Sequence, residues 1–546
     1  MDFQRIFLFL IFSFSVFLLW DGWQRLQQPI QQPVKQVVST TSTPIASSAL
    51  VVGEKPATPA ISALQMEQKG ETITVKTDYL RVEISTLGGD IRRLELLKHF
   101  DPIDKSKPLV LFQYDENHKY LAQSGLLGEG LPTHNTLFTA QVKEYELAGG
   151  KELIEVRLSP KAGSDIKTEK VFVFHKSSYL IDVSFELNNT SAQKLVSSAY
   201  FQLVRDEVVP PGGTWFVPTY TGPAIYTDKD KYEKMDFAGV AKNSLGLPKT
   251  ADNGWAGMLQ HYFVSAWLPK GDTPREFYAK KLDDKLYSVG IILPVAAIEP
   301  GMKGAISIPL YVGPAQSSLD DVATGLGLTV DYGFLTIIAK PMFWLLNEIH
   351  DWVQNWGWAI IILTILIKLV FFPLSAASYR SMAKMRVVAP KLAKIKEQYG
   401  DDRERLNRAM MDLYKTEKIN PLGGCLPVLI QIPVFIALYW AILASVEMRY
   451  APFFGWITDL SVADPYYILP IIMGISMVIQ GKLNPVPPDP LQARLMQIMP
   501  IAFSVVFFFF PAGLVLYSVV NTVLSIAQQW YITRKAEAEA KGVAKV

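Results

Sequence analysis

Apolar residues fall along this chain in two rhythms. In the first half they alternate with polar ones: Leu80, Val82, Ile84; Ile154, Val156, Leu158; Ile181, Val183, Phe185, Leu187; Ile306, Ile308, Leu310, Val312. Side chains of a strand point to opposite faces in turn, so this period predicts half-buried antiparallel strands, with Gly88-Gly89 and Asn188-Asn189 as turns between runs. Residues 61–328 carry few long helical patterns. They predict one large antiparallel β-sandwich, big enough to bury a core without disulfides.

From Phe334 the period lengthens. Phe334, Leu335, Ile338, Met342, Leu345, Leu346 and Ile349 recur at helical spacing, with Lys340, Asn347, Glu348 and Asp351 between them. This predicts an amphipathic helix within 329–356, bent at Pro341, that either rests in a membrane interface or packs beneath the sandwich. Uncharged runs then dominate: 357–379 apart from Lys368, 422–446, 465–481 and 495–533. The last run would reach ~58 Å as one helix, twice the ~30 Å of hydrocarbon in a bilayer. Pro511-Ala512-Gly513 divides it into spans at 495–510 and 514–533.

Residues 6–20 form another apolar run, preceded by Arg5. A secretory signal and a membrane anchor both fit it. Asp21-Gly22-Trp23-Gln24-Arg25 shows no small-x-small cleavage pattern, which favours an uncleaved anchor. A Gln-, Pro-, Ser- and Thr-rich stretch follows, so residues 21–60 read as a flexible linker. The fold class expected is a membrane α-helical protein with six transmembrane helices, five of them forming a core at 357–534, plus the external β-sandwich.

Charge fixes the orientation. Segment 380–418 carries eleven Lys and Arg, whereas 447–464 carries only Arg449. Cytoplasmic loops are enriched in basic residues, so the former is cytoplasmic and the latter external. Both termini then lie inside, including a basic tail at 535–546, and the β-sandwich lies outside. Overall, 53 basic against 51 acidic residues argue against a polyanion-binding protein, and only 19% charged residues argue against a wholly soluble one.

Enzymatic motifs are missing from the sequence. The six histidines (His99, His118, His134, His175, His261, His350) form no HExxH or His-x-His, there is no Gly-x-Ser-x-Gly, and Cys425 is the single cysteine. Without a Gly-x4-Gly-Lys-Ser/Thr loop, nucleotide hydrolysis is not the energy source. No cofactor or metal is expected.

One residue stands out. Lys368 lies ~16 Å past the Trp356/Trp358 interface pair, near the middle of a ~30 Å core, where an ammonium costs at least ~2.5–3.5 kcal/mol. No Asp or Glu occurs in the other spans. The side chain therefore either snorkels to the cytoplasmic headgroups or faces a wet cavity. Polar positions on the last span favour the cavity: Ser518, Asn521, Thr522, Ser525, Gln528 and Gln529 recur along one side, with Thr364 one turn from Lys368 and Gln431 in an apolar span. Interhelical hydrogen bonding is the competing account of that stripe. Spans 465–481 and 495–510 are short, ~25 Å and ~24 Å, so the bilayer beside them should thin.

Segment 380–418 reads as a basic helical hairpin, with Met382, Met385, Ala389, Leu392 and Ile395 on one arm, Leu406, Met410, Leu413 and Tyr414 on the other, and Gly400-Asp401-Asp402 between. Met382, Met385, Met410 and Met411 are either an adaptable contact surface or a packed seam. The basic face suits ribosomal RNA or anionic lipid.

Asn355-Trp356-Gly357, Phe372-Pro373-Leu374, the run Ser381–Arg386, the run Asn420–Cys425, the run Asp464–Pro470 and the run Pro511–Tyr517 occur in order over some 200 residues. In these pieces the chain resembles the YidC family of membrane-protein insertases, related to the Oxa and Alb insertases. The layout of anchor, linker and β-domain is similar to the Gram-negative inner-membrane form, whose large domain is periplasmic. The resemblance implies a hydrophilic groove open to cytoplasm and lipid but closed externally. It also implies insertion, folding and assembly of nascent membrane proteins, alone or with the Sec translocon and its accessory subunits, delivered by the ribosome. The family's groove arginine maps onto Lys368, which keeps the charge but loses bidentate carboxylate binding. A groove tyrosine pair maps to Tyr517 and Ser518, and Thr364, Gln431, Ser525 and Gln528 fall near the groove. The rival readings are an ion-coupled transporter or channel, for which intramembrane acids or repeated halves are lacking, and an anchored periplasmic carbohydrate-active or binding protein.

Overall fold

The structure is a computed structural model. It describes residues 70–543 apart from 148, 163, 211–219, 243–245, 248, 401, 418–425 and 485–489. The expected anchor at 6–20, the linker at 21–60 and the Asn420–Cys425 motif lie outside the described residues. The chain divides into a β unit and a helical unit.

The β unit holds a ten-stranded and a nine-stranded sheet. The alternating runs noted above fall on strands Leu80–Ser85 in the larger sheet and Leu153–Pro160, Leu180–Asn189 and Lys303–Pro314 in the smaller. Their apolar positions bury as alternation requires: in Leu180–Asn189, Ile181, Val183, Phe185 and Leu187 all face the core. Among the described pairings all are antiparallel except that of Thr72–Lys76, which runs parallel to Glu144–Glu146. Core rings meet between the sheets, with Phe185 6.2 Å and Trp267 5.1 Å from Phe201.

Polar groups are also sealed in this core. Lys170 donates from Nζ to the carbonyls of Gly88 (2.9 Å) and Ser124 (3.2 Å), and Asp90 accepts from Gln123 (2.8 Å). His134, one of the six scattered histidines, is buried, and its backbone N–H donates to the Tyr200 hydroxyl. Burial above all, then the charges of Lys170 and Lys280, hold its imidazole at about 4 against 6.5 when free. The folded chain thus binds less proton than the unfolded one between those values, so stability rises with pH across about 4 to 6.5. We expect His134→Gln to remove a dependence worth roughly 2–3 kcal/mol between pH 4.5 and 7. Urea midpoints of the full chain, followed by tryptophan fluorescence to which the buried Trp255 and Trp267 contribute, measure it; an unchanged pH slope would reject the assignment.

In the helical unit, α1 is Thr336–Val353. Its buried face runs Ala339, Phe343, Leu346, Ile349: Leu346 and Ile349 are as expected, while Ala339 and Phe343 are buried in place of the half-buried Ile338 and Met342, with Phe343 lying parallel to Trp356 at 6.4 Å. Ile337, Trp344 and Trp352 stay 89%, 61% and 81% exposed, an apolar edge suited to a membrane interface.

The expected straight span at 357–379 is instead two helices. Helix α2 (Trp356–Val370), capped by Asn355, stops at Phe371, and α3 (Phe372–Tyr399) leaves at 66°. Pro373 is the cause: it has no N–H to continue α2's ladder, yet it fits the first turn of a new helix. Residues 372–379 therefore belong to the helix that forms the hairpin's first arm. The second arm, α4 (Arg403–Thr416), is capped by Asp402, which accepts from the N–H groups of Glu404 and Arg405.

Helix α5 is Leu426–Ala444. Helix α6 (Ile468–Leu483) begins three residues later than the expected span at 465, because Tyr467 is left-handed and Asp464 accepts from the N–H of Leu469 (2.8 Å) and from Trp456 (3.0 Å). Helix α7 (Pro490–Val506) starts five residues before the expected 495, and α8 (Ala512–Val543) follows the Pro511 turn. The 16 and 17 residues of α6 and α7 give only ~24 and ~26 Å of helix. Among the described residues, Ala512–Ala536 alone is a single helix long and apolar enough to span; α2 with α3 qualifies only as a bent pair.

The two ends of this unit are distinct. Asn355 meets Phe453 (3.2 Å) and Gly513 meets Leu460 (2.9 Å) at one end, beside the loop that carries Arg449. The basic hairpin lies at the other, where Arg386 meets Leu483. Between the ends, Ile471, Ile475 and Ile479 of α6 and Ile498, Ile501 and Val505 of α7 are exposed, as lipid contact requires.

Candidate functional site

A small cleft of about 30 Å³ opens in the helical unit. Ile367 and Lys368 come from the end of α2, Phe371 from the kink, Leu374 and Ser375 from α3, Ile430, Gln431 and Val434 from α5, and Tyr517 and Asn521 from α8. The kink builds one wall. Had α2 run straight on, residues 371–375 would have continued along its axis instead of turning at Phe371 to line the cleft with Lys368.

Lys368 is half-buried, and its Nζ donates to Ser525 Oγ at 2.7 Å. That hydroxyl in turn donates to the Asn521 carbonyl at 2.7 Å. Among the described residues no carboxylate pairs with the ammonium. Its positive charge is therefore directed into the cleft with a single neutral hydroxyl as partner, an arrangement suited to holding a polar or acidic group transiently.

The nine groove positions read from the sequence separate into groups. Lys368, Gln431, Tyr517 and Asn521 line the cleft, and Ser525 holds the lysine. Thr364 and Ser518 are buried in packing, each donating to the carbonyl four residues back, Ile360 (2.6 Å) and Leu514 (2.9 Å). Thr522 turns to Met473 of α6, its Oγ1 3.7 Å from the sulfur. Gln528 is half-buried, with its Nε2 unpartnered among the described residues. The polar stripe of α8 thus divides: Tyr517 and Asn521 line the cleft, whereas Thr522 and Gln529 meet α6. Ile367, Phe371, Leu374, Ser375, Ile430 and Val434 were not foreseen; Pro373 was the one signal for the three at the kink, and the other three are apolar residues next to or one turn from Lys368 and Gln431.

The hairpin methionines have several fates. Met385 and Met410 pack with Val388, Leu392, Leu413 and Tyr414 in a seam between the arms. Met382 packs with Ala376, Tyr379 and Ile532. Met411 is 51% exposed.

Two family models match nearly all the described chain, "YidC periplasmic domain" over residues 72–345 and "60Kd inner membrane protein" over 348–539. The chain belongs to the YidC family of membrane protein insertases. It is 53% identical over 564 residues to the membrane protein insertase YidC of Nitrosospira multiformis, covering 100% of this chain and 99% of that protein. The YidC of Methylobacillus flagellatus is likewise 53% identical, over 556 residues and 100% of both chains. A solved structure described as an active YidC insertase with its first transmembrane domain resolved is similar at 19% identity and a TM-score of 0.40, over 85% of this chain and 93% of that one. As a YidC insertase, this protein resides in the inner membrane with a periplasmic β-domain, and nascent membrane proteins are its substrates. The transporter and carbohydrate-active readings fall away.

Proposed function

We propose that the Lys368 cleft is where this insertase receives the hydrophilic end of a nascent membrane protein while the adjoining apolar segment slides into lipid. The observation that carries this is the half-buried ammonium whose one side-chain partner among the described residues is the Ser525 hydroxyl. A wet, positively charged pocket lowers the barrier to moving a polar segment to mid-membrane without a continuous pore. The short α6 and α7, with the thinned bilayer they favour, lower it further. Transfer of apolar surface to lipid, at ~25 cal/mol per Å², supplies the driving force, aided by the membrane potential. No bond is made or broken.

The basic hairpin and tail suit the ribosome, and the exposed apolar faces of α6 and α7 suit lipid and the Sec translocon with its accessory subunits. Photocrosslinkers placed singly at positions 431 and 521 are expected to label a ribosome-stalled nascent chain, whereas one at Thr522, on the α6 side, is not. Labelling from position 522 equal to that from 431 and 521 would remove the cleft as the substrate path.

A further inference from the structure

The carboxyl end of α6 is clasped from two sides. Arg386, about four turns into α3, donates from Nη2 to the Leu483 carbonyl and lies 3.4 Å from that of Lys482. Gln529 of α8, fully buried, donates from Nε2 to the same Leu483 carbonyl at 3.1 Å and to Asn484 Oδ1 at 3.0 Å. The last carbonyls of a helix have no intrahelical donors and carry partial negative charge, so a guanidinium there makes a hydrogen bond and also opposes the helix dipole. Three helices thus converge on one backbone oxygen.

What α3 does at its two ends makes this clasp matter. Its first turn supplies Leu374 and Ser375 to the cleft wall. Ala376, Tyr379 and Met382 then pack on Ile532 of α8. Arg386 comes next, and beyond it the helix enters the hairpin, whose apolar contacts are largely its own seam of Val388, Leu392, Met410, Leu413 and Tyr414. Arg386 is therefore a polar bolt between hairpin and spans, on the same helix as the cleft wall.

We propose that Arg386 is a positioning residue for insertion: its grip on the Leu483 carbonyl, shared with Gln529, fixes the tilt of α3, and with it both the cleft wall and the place of the basic hairpin. The insertion step rests on reading the cleft as the substrate path; the grip itself does not. The acceptors are main-chain oxygens, so only the donors can be removed by substitution.

The test uses the full-length protein in proteoliposomes, with Cys425→Ser so that introduced cysteines are the only ones. Arg386→Ala is expected to slow insertion about tenfold, the loss of one charge-assisted hydrogen bond. Arg386→Lys, which keeps a charged donor, is expected to recover most of the rate. Spin labels on Lys394→Cys and Tyr531→Cys should give one narrow distance distribution with Arg386 or Arg386→Lys, and a broad one with Arg386→Ala. Joining Arg386→Cys to Leu483→Cys with a short bis-maleimide should restore the rate over the unlinked pair. Wild-type insertion by Arg386→Ala overturns the proposal, as does slow insertion with an unchanged distance distribution. If the crosslinks at 431 and 521 fail while the Arg386 distance change persists, the cleft reading fails and the clasp stands.

Discussion

Lys368→Glu is expected to slow insertion of a substrate with an acidic translocated tail by tenfold or more, while Lys368→Arg inserts it at close to the original rate. One attraction at ~6 Å is worth about 3 kcal/mol at an effective dielectric constant near 20. Reversing the charge replaces that attraction by a repulsion of similar size, and water in the cleft screens part of the change, so a factor of ten is the smallest effect expected. Because no acidic residue among the described ones pairs with Lys368, the substitution breaks no internal salt bridge; Ser525 loses the bond it accepts from the ammonium and keeps its own to the Asn521 carbonyl. A substrate with a neutral tail is the control and should lose little. Protease protection of the tail in proteoliposomes reads the rate. Equal insertion of the acidic substrate by wild-type and Lys368→Glu protein would remove the proposed role of the lysine.

Much of this architecture was legible because burial leaves a periodic trace. Ile181, Val183, Phe185 and Leu187 mark one face of a strand whatever lies around them, and a lone lysine in an apolar run marks an energetic anomaly wherever it sits. The misses share a physical origin. The run through Phe371 and Phe372 is uniformly apolar, so composition does not change where α2 ends and α3 begins; geometry changes, through Pro373. On α8, Tyr517 and Ser518 are adjacent in sequence but ~100° apart around the helix, and spacing alone does not say which of the two stripes meets a neighbour. The same ambiguity shifted only the first turns of the buried face of α1, to Ala339 and Phe343 from Ile338 and Met342. Packing against Trp356, a long way from anything periodicity measures, decided it.

The other large effect is expected at Tyr517, and it separates packing from polarity within the cleft. Its ring is among the largest fully buried side chains, 6.4 Å from Phe435, which is itself 6.3 Å from Phe507. Tyr517 thus joins α8 to α5 through aromatic contact while its edge lines the cleft with Gln431. Tyr517→Ala removes the ring and leaves a cavity beside Phe435, which should destabilise the helical unit by about 3–5 kcal/mol. It also widens the cleft next to Lys368, so insertion should fall with stability. Tyr517→Phe keeps the ring and loses only a hydroxyl, a change of about 1 kcal/mol. Thermal unfolding in detergent and insertion in proteoliposomes, measured on both variants, distinguish the contributions. If Tyr517→Phe proves as damaging as Tyr517→Ala, the hydroxyl rather than the packing sets this wall of the cleft, and the aromatic contact with Phe435 is incidental.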